Sequence, residues 1–111
     1  MKREWTLAAA RAILSDVRAR TERAVEAVDE LNEQRERSQP GSEAARVLEE
    51  RIRDRVSLWV REMEGLGLEI KGLWLVDFDN GAGYYCWRWP EEELDHFHGY
   101  EEGFAGRSRI Q

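Results

Sequence analysis

The sequence of 111 residues has one cysteine, two prolines, fewer basic than acidic residues and no long apolar run. A lone thiol, Cys86, cannot close a disulfide within the chain, which removes the covalent staple that small secreted folds depend on. The longest apolar run falls far short of the roughly 18 residues that a bilayer span needs, and Met1-Lys2-Arg3-Glu4-Trp5 leads into no signal-like stretch. No membrane partner is expected, and a cytoplasmic address follows. Lys and Arg total 17 against 23 Asp and Glu, a net charge of -6, most of it beyond residue 66. Proteins that track phosphate backbones displace counterions with Lys and Arg, so nucleic acid is not the expected partner. Where arginines cluster, as in Arg51-Ile52-Arg53-Asp54-Arg55 and Glu33-Gln34-Arg35-Glu36-Arg37, acidic residues interleave with them. That is the pattern of a solvated helix face.

What is present falls into three pieces of a single domain over residues 1–111. From Thr6 to Arg37 there is no Gly or Pro, and Ala, Leu, Arg and Glu dominate, which predicts a helix over 6–37 capped by Thr6. Leu7, Ala10, Leu14, Val17, Thr21, Ala24, Val28 and Leu31 alternate steps of three and four, a coiled-coil stripe. Such a helix is roughly 45 Å long at about 1.5 Å per residue and needs a second helix beside it. Ser38-Gln39-Pro40-Gly41 supplies a turn, and Ser42 caps a second helix over 42–65 that ends at Gly65-Leu66-Gly67. Its stripe is Ala45, Leu48, Ile52, Val56, Trp59, Met63 and Leu66; Val47, Leu58 and Val60 lie off it and call for further cover.

The third piece changes period. Strands are predicted over 72–78 and 83–89, joined by a two-residue turn at Asn80-Gly81 that would set Asp77 opposite Tyr84 and Leu75 opposite Cys86. One ribbon face carries Leu73, Leu75, Asp77, Tyr84, Cys86 and Arg88, the other Trp74, Val76, Phe78, Tyr85, Trp87 and Trp89. One of these faces is expected to pack on the helices near Trp59, and the other on the tail or a second subunit. Residues 90–111 form an acidic, glycine-containing tail, with a third strand near Leu94–His98 or a helical turn from Pro90, and loop from Gly99 to Arg107. The expected fold is α+β: a long antiparallel helical hairpin, then a small antiparallel β-hairpin or meander and an irregular C-terminal tail.

Few residues offer chemistry. His96 and His98 alternate so that a strand puts both imidazoles on one face, as a divalent transition metal requires, and Asp77, Cys86 and Asp95 can complete the set. The plainer alternative is a hydrogen-bonded core His98 and a solvated His96. Glu93 and His96 match a Glu-x-x-His element, but neither helix stripe has the inward carboxylates of a di-metal bundle. Within a strand, Cys86 reads as an inert buried thiol rather than a nucleophile. Asp77 and Arg88 are charges in apolar strands, and each needs a partner. A polar cluster of Asp77, Arg88, His98 and Arg107 is therefore the candidate site, the alternative being a structural network that pins the tail. Gly103-Phe104-Ala105-Gly106-Arg107 offers amides and a guanidinium to an anion but lacks the Lys-Ser/Thr ending of a phosphate loop.

Leu75-Val76-Asp77-Phe78, Cys86-Trp87-Arg88, Phe97-His98 and Gly103-Phe104-Ala105-Gly106-Arg107, behind two amphipathic helices, resemble the prokaryotic family catalogued as domain of unknown function 2203. This chain differs at Asp79, where that family usually has proline, at Trp89-Pro90 and at Phe97. The resemblance implies no established reaction. It does place Asp77, Arg88, Glu91, His98 and Arg107 on the family's polar motif positions.

Two functions follow as expectations. One is a non-enzymatic module in which the helical hairpin pairs with a copy of itself, a dimer first, without a cofactor. The other is a small metal-binding or metal-dependent hydrolytic protein using His98 and Asp77, with Arg88 or Arg107 steadying an anionic substrate. Whether the protein is an enzyme is left open.

Overall fold

Thr6 starts the first helix. Its hydroxyl accepts the Ala9 amide at 3.0 Å, and α1 runs Leu7–Glu36 in the computed structural model, which describes residues 3–111. Ser42 does the same for α2, Glu43–Gly65, accepting the Ala45 amide at 3.1 Å. The expected stripe is the seam between them: Ala10, Leu14, Val17, Thr21, Ala24 and Val28 are buried on α1, and Ala45, Leu48, Trp59 and Met63 on α2. The one polar member is satisfied, because the Trp59 indole donates to the Thr21 hydroxyl at 2.9 Å and that hydroxyl donates to the Val17 carbonyl at 2.8 Å. No helix among the described residues is long and apolar enough to cross a membrane.

After α2 the chain makes an antiparallel meander whose spatial order is its sequence order: β1 Glu69–Gly72, β2 Leu75–Asp79, β3 Tyr84–Arg88, β4 His96–His98 and β5 Ser108–Arg109. Three sequence expectations need correcting. The strand predicted over 72–78 is two strands, because Leu73-Trp74 is a turn in which Trp74 adopts φ of 60°. Its indole meets Trp59 edge-on at 4.9 Å, so the apolar character that suggested a strand serves packing on the helices. The Asn-Gly turn is longer than two residues. Asn80 Oδ1 accepts the amides of Ala82 and Gly83 at 2.9 and 2.8 Å, so Asp79 pairs with Tyr84, Asp77 with Cys86 and Leu75 with Arg88. This two-residue slip leaves the residues from Leu75 to Phe78 and from Tyr84 to Arg88 on their predicted faces, since strand faces alternate with period two. Lastly, part of the tail read as loop is ordered: a short helical turn at Phe104–Gly106 leads into β5, which pairs with β4.

One sheet face packs on the helices. Val76, Phe78 and Trp87 are buried there with Trp59, Met63 and Leu68. Trp5, which the helix periodicity leaves out, joins them: its amide donates to the Asp79 carbonyl at 2.7 Å and its ring meets Phe78 edge-on at 5.3 Å. This core ends at Ala24 on α1 and Trp59 on α2. Beyond it Val28, Ala45 and Leu48 are buried only in the helix seam, and the 49 Å long axis of the molecule reflects that overhang.

Candidate functional site

The opposite sheet face presents Asp77 from β2, Cys86 from β3 and His98 from β4. Their exposures are 0%, 1% and 3%. Direct pairing of Asp77 with Cys86, and of Tyr84 with His98, aligns them across three adjacent strands. Gly83 allows this approach, since a Cβ there would stand 2.7 Å from the His98 carbonyl oxygen. His98 Nε2 lies 2.8 Å from Asp77 Oδ2, and His98 Nδ1 lies 2.7 Å from the Gly99 carbonyl. A carbonyl only accepts, so Nδ1 carries a hydrogen and Nε2 faces the carboxylate. Asp77 Oδ1 is buried with no hydrogen-bond partner. One ligand-capable atom of each of Asp77, Cys86 and His98 lies within 4.8 Å of the other two.

Burial disfavours charge on the Asp77 and Cys86 side chains of this cluster. Burial pushes the Asp77 carboxyl above the ordinary range, more than the neighbouring His98 draws it down. Burial, reinforced by the Asp77 carboxylate, pushes the Cys86 thiol up to about 12, so it is no nucleophile at neutral pH. The thiol meets the Arg107 guanidinium at 4.0 Å.

Arg107 is held elsewhere. Its Nη1 donates to Glu91 Oε1 at 3.0 Å, its Nη2 bonds Oε2, and its guanidinium lies 4.3 Å from the Phe104 ring centre. Burial raises the Glu91 carboxyl, but the Arg107 bonds, the Arg88 amide and the Arg107 charge outweigh it and hold the group below its ordinary value. The five residues expected to form one cluster thus divide. Asp77 and His98 form one group, joined by Cys86; Glu91 and Arg107 form a second at its edge. Arg88 gives only its backbone amide to Glu91, at 2.9 Å, while its exposed side chain reaches over Phe104. His96 shares the strand face, opposite Cys86, but stands outside the three-residue group. Of the residues seen here, Tyr84 and Tyr100 carried no sequence signal of a site; the Tyr84 ring tilts against His98, and Tyr100 meets Tyr84 edge-on to extend that wall.

A cavity of about 210 Å³ adjoins the cluster, lined by Lys71, Leu75, Asp77, His98, Tyr100 and Phe104. A hydrogen bond to Asp79 pushes the Tyr100 phenol up to about 12, so it remains a donor there. A larger cleft of about 430 Å³ passes Arg11, Glu92 and Glu93. It brings no buried titratable group of this kind together among the described residues. The arrangement offers mixed N, O and S donors in one buried group, of which Asp77 and His98 also line the small cavity.

A family model described as Uncharacterized conserved protein (DUF2203) matches residues 3–110. No curated protein and no solved structure matches the chain.

Proposed function

The chain belongs to the family described as Uncharacterized conserved protein (DUF2203), and we propose that it serves as an assembly module whose helical hairpin pairs with a second copy. What supports this is a self-complementary row on the outer side of α2. Val47, Arg51, Asp54 and Leu58 are spaced by four, three and four, so they lie along one helix face, and all four are exposed. A two-fold axis between Arg51 and Asp54 sets two such rows antiparallel, bringing Val47 to Leu58 of the partner and Arg51 to Asp54 of the partner. Isologous contacts of this kind repeat each pair twice, which is how a short motif closes a dimer. The overhanging half of the hairpin, covered by no strand, leaves room for that second hairpin.

The test is a charge swap read by light scattering during gel filtration. Wild type is expected to run at twice the chain mass as its concentration rises through the micromolar range. Arg51→Asp or Asp54→Arg alone should give monomer, and the double exchange should restore the dimer. A monomeric wild type at all these concentrations, or single variants that dimerise unchanged, defeats the reading.

A further inference from the structure

Three adjacent strands hold three different donor atoms in one buried group. Asp77, Cys86 and His98 are each at least 97% buried, and their ligand-capable atoms lie within 4.8 Å of one another. A tetrahedral zinc site with bonds of about 2.0–2.3 Å separates its ligand atoms by roughly 3.5 Å. The present spacings bracket that value, from 2.8 Å between Asp77 and His98 to at most 4.8 Å within the group.

Two further observations point to a cation. The first is the orientation of His98: the Gly99 carbonyl fixes the hydrogen on Nδ1, leaving Nε2 as the ligating nitrogen, the arrangement by which metal-binding imidazoles are held. The second is Asp77 Oδ1, a wholly buried carboxylate oxygen without a hydrogen-bond partner, on a residue that lines the cavity. A buried acceptor left unpaired is costly, and a cation is the partner that satisfies it best.

We propose that Asp77, Cys86 and His98 bind one divalent transition ion of the zinc type through a carboxylate oxygen, the thiolate sulfur and Nε2, with the fourth position open to the adjoining cavity. Thiolate and imidazole together select zinc or cobalt over magnesium or calcium, which take oxygen ligands. On binding, the Cys86 thiol releases its proton and the proton between Asp77 and His98 leaves with it. Three metal–ligand bonds form, both protons go to solvent, and nothing is oxidised or reduced. The charges close: carboxylate and thiolate balance the ion, and Arg107 next to the sulfur is already neutralised by Glu91. The site does not depend on the assembly reading above, because the α2 row lies on the other element.

The test is titration of chelator-stripped protein with Zn²⁺ and with Co²⁺ alone. One equivalent per chain is expected, and the cobalt complex should show a thiolate-to-metal charge-transfer band together with the visible bands of four-coordinate cobalt. Cys86→Ser should abolish the charge-transfer band, Asp77→Asn should weaken affinity at least tenfold, and His96→Gln should change neither. Circular dichroism checks that each variant is folded; if one is not, the thiolate band of wild type decides. The proposal is overturned by folded wild type that binds no metal saturably, by a cobalt spectrum lacking the thiolate band, or by a variant pattern in which His96 matters and Cys86 does not.

Discussion

Trp59 and Thr21 meet across the helix seam with the indole N–H donating to the hydroxyl at 2.9 Å, and both residues are wholly buried. Thr21→Val keeps the shape of the side chain but leaves that donor unsatisfied in the core. The expected loss is about 1–3 kcal/mol, seen as a lower urea midpoint, while Thr21→Ser should recover most of it. Equal midpoints for wild type and Thr21→Val would sink the account.

Gly83→Ala is expected to be among the more damaging single-methyl additions. The atom that the new Cβ meets is the backbone carbonyl oxygen of His98 at 2.7 Å, which cannot swing aside as a side chain can. β3 and β4 must separate, at a cost of about 1–3 kcal/mol. Thermal melting measures the loss, and the His98 imidazole resonances should move with it. By contrast Gly65→Ala, with nothing within 4 Å of the added atom, should leave those resonances in place.

The Glu91–Arg107 pair predicts a pH dependence with a definite sign. The folded state holds the Glu91 carboxyl below its ordinary value, burial being outweighed by Arg107, the Arg88 amide and the nearby His96. Its contribution to stability is therefore complete above the unfolded value of about 4.3 and disappears as pH falls through the lower folded value. Wild type should melt higher than Glu91→Gln at neutral pH, and the two curves should converge between about pH 5 and pH 3. A gap that stays constant down to that range would contradict the assignment.

Cys86 should resist alkylation. It is 1% exposed, and its thiol is pushed up to about 12 by burial and by Asp77. Chelator-treated folded protein is expected to react with iodoacetamide far more slowly than the same protein in urea at mildly alkaline pH, as mass spectrometry of the intact chain would record. Comparable rates would mean that the sheet face is open.

The helical hairpin was legible because a spacing of three and four, sampled over eight positions from Leu7 to Leu31, leaves few other ways to bury the same side chains. The sheet was less so. Asn80-Gly81 fits a two-residue turn and a longer loop alike, and a period of two conceals a slip of two, so the faces could be read while the register could not. β1 and β5 are too short to announce themselves: Glu69–Gly72 has a single large apolar residue, Ile70, and Ser108–Arg109 is two exposed residues recruited by pairing. At the site, Asp77 and His98 stood out as polar groups amid apolar ones. Cys86 was legible as a possible ligand but read first as a packing thiol, because burial alone looks the same for both. The partnership of Glu91 with Arg107 spans 16 residues and a loop whose path only tertiary packing decides.

β5 has two residues, both facing solvent, and they pair with the edge of β4. The loop that roofs His98 with Phe104 and Tyr100 is anchored downstream by this short splice and by the Ile110 amide on the Asp95 carbonyl at 2.7 Å. Upstream of the splice the loop is held by the Arg107–Glu91 pair and by the Tyr100 hydroxyl on Asp79, so the residues beyond Arg107 are the weakest-held part of the sheet, and their amides should exchange with deuterium well ahead of those in the helix seam.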